Sequence, residues 1–473
     1  MSAAPARSVR RARRRAARRA GLRRRAVALR VVAALVALVA LAAAGAARAA
    51  APPNLVLVTI DTLRADHLGC YGYARPTSPA LDAFARDALL FENAYAPMPT
   101  TLPSHVSLLT SSLPARHGVL SNFRYLHIPF VPGEPGGLRS VAQTLSDAGY
   151  ATAAFTSASP LSRGTGVDAG FAAFDAPPPF DENDESVRRT AGETVDRALA
   201  WLAARGDGAP PFFLWVHVFD PHLPYEPPAP WDRAFTTDAA LLETLAARGI
   251  PDVLHRHVAG LANAYDGEIR YADEQVGRLL DALRERGLYD DAVVAIAGDH
   301  GEGLMAHGEP GHELVWRGTV RVPLVLRWPG GPRGARAAQV ASLVDVLPTL
   351  RAHTALPLAG AAFDGGDLLA DAEREALSQE PVRDGAPRQR TFALSAGRWR
   401  YWYLSDGPAR LYDVEADAAE LRDVIGEHPD VAERMRARVE ALLEDARARP
   451  GATVTNEIDA DLRKRLEQLG YVE

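Results

Sequence analysis

The stretch NLVLVTID, residues 54–61, decides how the chain is read. Apart from Asn54 and Thr59, its first seven residues are apolar and unbroken by glycine or proline. That is the pattern of a strand buried on both faces. The run stops at an aspartate. FFLWVHVF (212–219) stops at Asp220 in the same way, and AVVAIA (292–297) is followed by Gly298 and Asp299. Ala151–Thr156 and Val322–Trp328 read as two further strands. Ile269, Ala272, Val276, Leu279, Leu280 and Leu283 fall at helical spacing, so 262–287 reads as an amphipathic helix. Ser78–Leu90 and Leu138–Gly149 read as helices, the second ending at a glycine stop. Strand–helix alternation predicts an α/β fold with a large, mainly parallel sheet covered on both faces.

Beyond about residue 375 the character changes. Arg398–Leu404 and Arg410–Tyr412 read as short antiparallel strands, and Glu427–Ala448 as a charged amphipathic helix. The organisation expected is therefore a catalytic domain over 51–374 and a small α+β subdomain over 375–473. A chain of 473 residues, 47% of them hydrophobic, is long enough for both.

The first fifty residues are different again. They hold thirteen arginines and no acid. Without them the chain has 40 basic against 59 acidic residues, a formal −19, which disfavours nucleic acid as a partner. Val31–Ala47 carries no charge, and Ala47-Arg48-Ala49 fits a small-residue cleavage site. A basic start, an apolar run and small residues describe a signal peptide. Uncleaved, residues 31–47 are just long enough to anchor the chain in the inner membrane. Either way the body is expected in the periplasm or another extracytoplasmic space. The single cysteine, Cys70, excludes an internal disulfide and makes a cysteine-based zinc site improbable.

Ligands of open parallel sheets bind beyond the carboxyl ends of the strands. Asp61, Asp220 and Asp299 sit there, with His222 and His300 close by in sequence. Asp61, Asp299 and His300 suffice for one divalent cation. The plainer alternative is three independent turn caps. A second signal is Pro97–Val119 (PMPTTLPSHVSLLTSSLPARHGV), where a turn precedes a short helix over Ser104–Ser111. Pro103 suits a first helical position. Thr101 would then lie just before the helix N-terminus, where free amides and the helix dipole favour an anion. An ordinary N-cap is the alternative for one such threonine.

The order of these segments resembles the sulfatase family of the alkaline phosphatase superfamily. The resemblance is carried by Val58-Thr59-Ile60-Asp61-Thr62-Leu63-Arg64, Thr101-Leu102-Pro103-Ser104-His105, Phe219-Asp220-Pro221-His222 and Gly298-Asp299-His300-Gly301-Glu302. It continues through Arg321-Val322-Pro323-Leu324, Val344–Leu350 and Leu411–Glu415. It implies an alkaline-phosphatase-like mixed sheet flanked by helices and a hydrolase of sulfate or phosphate esters. It also implies one divalent metal ion, with Ca, Mn, Zn and Mg all open. By resemblance, Asp61, Asp299 and His300 hold the metal, Thr101 is the nucleophile, His222 contacts the ester oxygens, and Arg317 binds the anion.

Departures from the family pattern refine this. Sulfatases convert a cysteine or serine in Cys/Ser-x-Pro-x-Arg to formylglycine. Here Thr101 and His105 occupy those places, and the methyl on a threonine Cβ forbids that aldehyde. The second aspartate of many sulfatases is Thr62, and a Lys/His segment is replaced by Thr156-Ser157-Ala158-Ser159. The chain is thus similar to the threonine-dependent branch that includes nucleotide pyrophosphatases, phosphodiesterases and lipoteichoic acid synthase. In that branch His222, His307 or His312 could act as acid or base, and Asp220, His222 and His312 could hold a second metal, with His105 as a further candidate. The expected substrate is a small-molecule, glycan or lipid ester. A sulfuric ester hydrolase without formylglycine, or a non-catalytic binder of glycans or lipids, are the alternatives. Export itself is testable: residues 1–60 fused to a reporter active only outside the cytoplasm should give activity, and a silent reporter rejects the reading.

Overall fold

The computed structural model describes residues 52–122, 138–178, 189–206, 208–358, 363–382, 391–405 and 407–449. The signal or anchor expected in 1–50 lies outside them. Among the described residues no helix is long and apolar enough to cross a membrane.

From Pro53 onward the chain forms one compact unit. Its centre is an eight-stranded sheet. The strands are β1 (Leu55–Ile60), β2 (Leu89–Tyr95), β3 (Ala151–Phe155), β4 (Ala173–Asp175), β5 (Phe212–Val218), β6 (Val293–Gly298), β7 (Arg321–Arg327) and β8 (Ala335–Ser342). Their spatial order is β4-β3-β5-β1-β6-β7-β2-β8. The run from β4 to β6 is parallel, β7 is antiparallel to both β6 and β2, and β8 pairs parallel with β2. The sheet is therefore mixed and mostly parallel, as the strand–helix alternation predicts.

Residue parity distributes each strand over two cores. Val56, Val58 and Ile60 of β1, with Leu214, Val216 and Val218 of β5, face a core covered by three helices. Those helices are α1 (Pro79–Ala85), α3 (Ala191–Ala203) and α4 (His255–Glu285). Leu55 and Leu57, with Phe213 and Trp215, face the opposite core, which includes α2 (Thr101–Thr110). A second sheet, β9 (Glu375–Gln379), β10 (Thr391–Ala396), β11 (Trp399–Leu404) and β12 (Arg410–Asp413), is wholly antiparallel. Its Phe392, Leu394, Tyr401 and Leu411 pack on Val431, Met435, Val439 and Leu443 of α5 (Pro429–Ala448). It is tied to the main body where Ser378 Oγ donates to the Ala96 carbonyl at 2.7 Å and Gln379 N–H to the Pro97 carbonyl at 2.9 Å.

Three local expectations are corrected. The helix read over Ser78–Leu90 ends at Ala85, and Leu89 begins β2. Helix-compatible leucines there are recruited by pairing with β7 and β8, a tertiary contact that overrides propensity. The strands β8, β9 and β10 carry no clear alternation or β-branched run and were not expected. Helix α2 starts at Thr101 rather than Ser104, with Thr100 as its N-cap and Pro103 inside the first turn. All ten residues of α2 are buried, so its polar groups must find partners within the protein.

His117 shows how strictly. Val119 N–H donates to its Nδ1 at 3.1 Å, so the ring's proton sits on Nε2, which meets Ser107 Oγ at 2.9 Å. Burial pushes the imidazole down to about 3. Protonation would also forfeit the Val119 bond. Because the folded value lies below the unfolded one of about 6.5, this stability is complete above pH 6.5 and is lost as pH falls towards 3. Urea unfolding at pH 6.5 and 4.5 should show that His117→Gln removes about 2 kcal/mol of the acid-dependent loss. An unchanged pH slope contradicts this.

Candidate active site and metal centre

The register of three adjacent strands builds the site. Ile60 pairs with Val218 on one side and Gly298 on the other. The next residues, Asp61 and Asp299, therefore emerge side by side at the carboxyl edge. Asp61 N–H continues the ladder to the Val218 carbonyl at 3.0 Å. Both aspartates are fully buried. Among the described residues, both carboxylate oxygens of Asp61 and Oδ2 of Asp299 have no hydrogen-bond partner. Orphaned acceptors of this kind are costly unless something positive meets them.

His300 completes the convergence. Its Nδ1 lies 3.0 Å from the Gly301 carbonyl and so carries the proton. Its bare Nε2 points at Asp61 Oδ1, 3.3 Å away, and at Asp299 Oδ2, 3.6 Å away. A histidine held by a backbone carbonyl with its other nitrogen facing carboxylates is the arrangement of a metal ligand. The separations also match those that donors keep around one small cation with bonds of about 2.0–2.2 Å. Asp61, Asp299 and His300 accordingly form one of two clusters of potential ligands among the described residues.

The electrostatics agree. Burial acts to raise the Asp61 carboxyl, but the neighbouring His217 and His222 outweigh it and hold it well below the usual range. Asp299 goes the opposite way, pushed well up by burial and by the charge on Asp61. The pair by itself thus accommodates one negative charge, and only a cation lets both ionise.

Thr101 stands at this cluster. Its side chain is 2% exposed, and Oγ1 lies 3.4 Å from His300 Nε2. It occupies the first turn of α2, where Ser104 Oγ donates to the Asp299 carbonyl at 2.6 Å and ties the helix to the end of β6. His105 lies one turn on. Thr59 Oγ1 accepts from Trp215 Nε1 at 3.0 Å, so its own proton goes to His105 Nε2 at 2.9 Å. His105 Nδ1–H then donates to the Thr101 carbonyl at 2.7 Å. Burial and the neighbouring His217 push this ring down to about 3, so it is a neutral brace.

His222 and His312 form the half-buried rim. His222 stacks on Phe219 at 4.4 Å and meets His312 edge-on at 5.4 Å. His312 lies 4.3 Å from the His300 ring, its Nδ1 bonded to the Pro99 carbonyl. Thr62 does not join the cluster: in left-handed backbone conformation, it donates its hydroxyl to the Pro221 carbonyl.

Other candidates lie apart. Asp220 accepts the Ala191 N–H at 2.7 Å, at the start of α3, and is not gathered with His222 and His312 into a ligand cluster. The Arg317 guanidinium meets Tyr95, Asn93 and the Ala418 carbonyl. His307 stacks flat on Trp316 at 3.6 Å and bonds the Ala419 carbonyl. Arg317 and His307 line a cavity of about 510 Å³ whose walls include none of Thr101, Asp61, Asp299 and His300. Arg64 is a structural residue there, clamped on Asp66 and the Glu302 carbonyl.

His217 was missed in the sequence. It is fully buried on β5, paired in register with Thr59, and its Nε2 sits 3.6 Å from Asp61 Oδ2. Its signal was available: it is the one ionisable residue in FFLWVHV, with the parity of Trp215.

Comparison with known proteins agrees with this architecture. The sulfatase family model matches residues 53–356. The chain is 25% identical to an ulvan-active sulfatase of Formosa agariphila, over 88% of this chain and 82% of that one. It is 27% identical to human arylsulfatase A, over 78% of each. Among solved structures, the phosphonate monoester hydrolase of Agrobacterium radiobacter superposes with a TM-score of 0.69 at 22% identity, covering 83% of this chain and 96% of that one.

The buried carboxylates make a prediction with two opposed readouts. Asp299→Asn should lower divalent-metal affinity by at least about 100-fold. The same variant, stripped of metal, should melt above metal-free wild type, because one of two crowded acids is gone. Unchanged metal content by elemental analysis contradicts the assignment.

Proposed function

The chain belongs to the sulfatase family of the alkaline phosphatase superfamily, and from that premise we propose that it hydrolyses phosphate-type or sulfate esters through Thr101 as a covalent nucleophile. The observation that carries this reading is the position of Thr101 Oγ1 beside His300 Nε2, at the edge of the carboxylate cluster.

Attack by Thr101 Oγ on phosphorus or sulfur, with its hydroxyl proton released to water, forms a threonine ester and breaks the bond to the leaving alcohol. Asp61, Asp299 and His300 would hold the divalent cation, which when bound supplies charge that favours the alkoxide and the transferred group. His105 pins the Thr101 carbonyl and so fixes the direction of the hydroxyl. The leaving oxygen takes a proton from a rim imidazole, His222 or His312, and water then cleaves the threonine ester. Arg317 is engaged elsewhere, so the basic groups facing the anion are imidazoles. Formylglycine has no place in this scheme.

Phosphorus is favoured by the threonine, since hydroxyl attack followed by hydrolysis suits a phosphoryl centre. A sulfate ester is the second reading, favoured by the names of the relatives, an ulvan-active sulfatase and arylsulfatase A. Substrates of the glycan or small-molecule class follow from the same names. The Arg-rich start and apolar run of residues 1–47 support an extracytoplasmic site of action.

Thr101→Ala tests the nucleophile. It should fold normally, since alanine favours a helical position over threonine, yet lose turnover of aryl phosphodiesters, phosphonates and sulfates by several orders of magnitude. Thr101→Ser should keep measurable activity. Rapid quench and mass analysis of the peptide containing residue 101 should reveal the adduct on wild type. Wild-type turnover in Thr101→Ala would sink the reading.

A further inference from the structure

Thr62 follows Asp61 in the chain, and its backbone is strained. Its φ of 51° is left-handed, a region that a β-branched residue rarely enters. Strain of this kind persists only where surrounding contacts overrule it. Two contacts do so here. The Thr62 hydroxyl donates to the Pro221 carbonyl, and the Thr62 carbonyl accepts the Tyr265 hydroxyl proton at 2.6 Å. The same phenol oxygen accepts the Arg64 N–H at 2.9 Å. One hydroxyl therefore closes the turn from 62 to 64.

Tyr265 is built to hold a fixed place. It lies on α4 and is fully buried, as Thr62 is. Its ring meets His67 edge-on at 5.0 Å and Tyr225 at 5.4 Å. The next residue, Asp266, anchors the helix by accepting from Tyr73 at 2.8 Å and from Arg75 at 2.9 Å. A phenol has a single proton, and here it is spent on the Thr62 carbonyl, so Tyr265 acts on the turn and not on a substrate. Asp61 depends on that turn. Its N–H is fixed by the ladder to the Val218 carbonyl, but β1 ends at Ile60. Among the described residues neither carboxylate oxygen of Asp61 has a hydrogen-bond partner. The direction of its side chain is therefore set by the backbone on either side of it.

We propose that Tyr265 is a positioning residue of the metal centre: by holding Thr62 in its left-handed conformation, it aims the Asp61 carboxylate at Asp299 and His300. The inference rests on the metal centre of the proposed function and adds the backbone device that preorganises it. Without the phenol, Thr62 is free to relax to an unstrained conformation, and Asp61 turns with it.

The test measures Mn²⁺ affinity by calorimetric titration of the full chain, stripped of metal, in wild type, Tyr265→Phe, Thr62→Gly and the double variant. Tyr265→Phe should weaken Mn²⁺ binding at least about tenfold. Glycine takes the left-handed conformation without strain, so in the Thr62→Gly background the same change should cost less than about threefold. No loss in Tyr265→Phe, or an equal loss in both backgrounds, overturns the proposal while leaving the metal centre standing. Thr62→Ala tests the same point without touching Tyr265. It lacks the hydroxyl just as the glycine variant does but resists the left-handed conformation, so it should bind Mn²⁺ at least about fivefold more weakly than Thr62→Gly. Equal affinities of these two variants overturn the proposal even where Tyr265→Phe does not fold. Failure of wild type to bind any ion overturns the metal centre and the proposal together.

Discussion

Two carboxylates are forced together, and among the described residues three of their four oxygens meet no hydrogen bond; only Asp299 Oδ1 accepts one, from the His300 N–H at 2.7 Å. Parallel pairing of β1 with β5 and β6 aligns Ile60, Val218 and Gly298, and the next residues of β1 and β6 are Asp61 and Asp299. Neither aspartate can escape to solvent, because both are completely buried. Burial would neutralise such a pair by protonating one member. Asp299 is the member driven up, while His217 and His222 outweigh burial at Asp61 and keep it ionised. The sheet has thus gathered Asp61, Asp299 and His300 into a cluster able to hold a cation.

The helix over Thr101–Thr110 is arranged around the same point. Its first turn reaches the end of β6 through Ser104 and the Asp299 carbonyl. His105 braces it against β1 through Thr59, and Trp215 sets the direction of that hydroxyl. Where relatives of the resembled family carry an arginine, this chain carries a neutral imidazole held by burial. That exchange removes a fixed positive charge from beside Thr101, the proposed nucleophile, and puts a positioning group there. The charge a transferred anion requires must then come from the cation and from the rim imidazoles.

Much of this was legible in the sequence. Three apolar runs ending at aspartates located the sheet edge, and their β-branched, unbroken character made them recognisable as buried strands. Asp61, Asp299 and His300 stood out by their places at strand ends and again by resemblance, and the structure brings them together. Thr101 was placed just before its helix rather than inside it, because Pro103 suits a first turn at more than one position. β8 to β10 escaped notice because they are alanine-rich or short, and their pairing depends on partners far away in the chain. Arg317 and His307 carry no local signal of where they point, and tertiary packing turned them to Tyr95 and Trp316. His217 was overlooked inside a hydrophobic strand, where a lone histidine reads as core. Only the folded chain, with His217 Nε2 3.6 Å from Asp61 Oδ2, reveals that it faces a carboxylate.

The central claim is that a cation, and not a pair of shared protons, resolves the clash between Asp61 and Asp299. Anomalous diffraction from crystals of the full chain, grown with Mn²⁺ and measured at the manganese edge, tests it most directly. The account predicts a strong peak within bonding distance of Asp61, Asp299 and His300, next to the Thr101 hydroxyl. A map with no peak there, and Asp61 and Asp299 drawn together into a short carboxyl–carboxylate hydrogen bond, would contradict it.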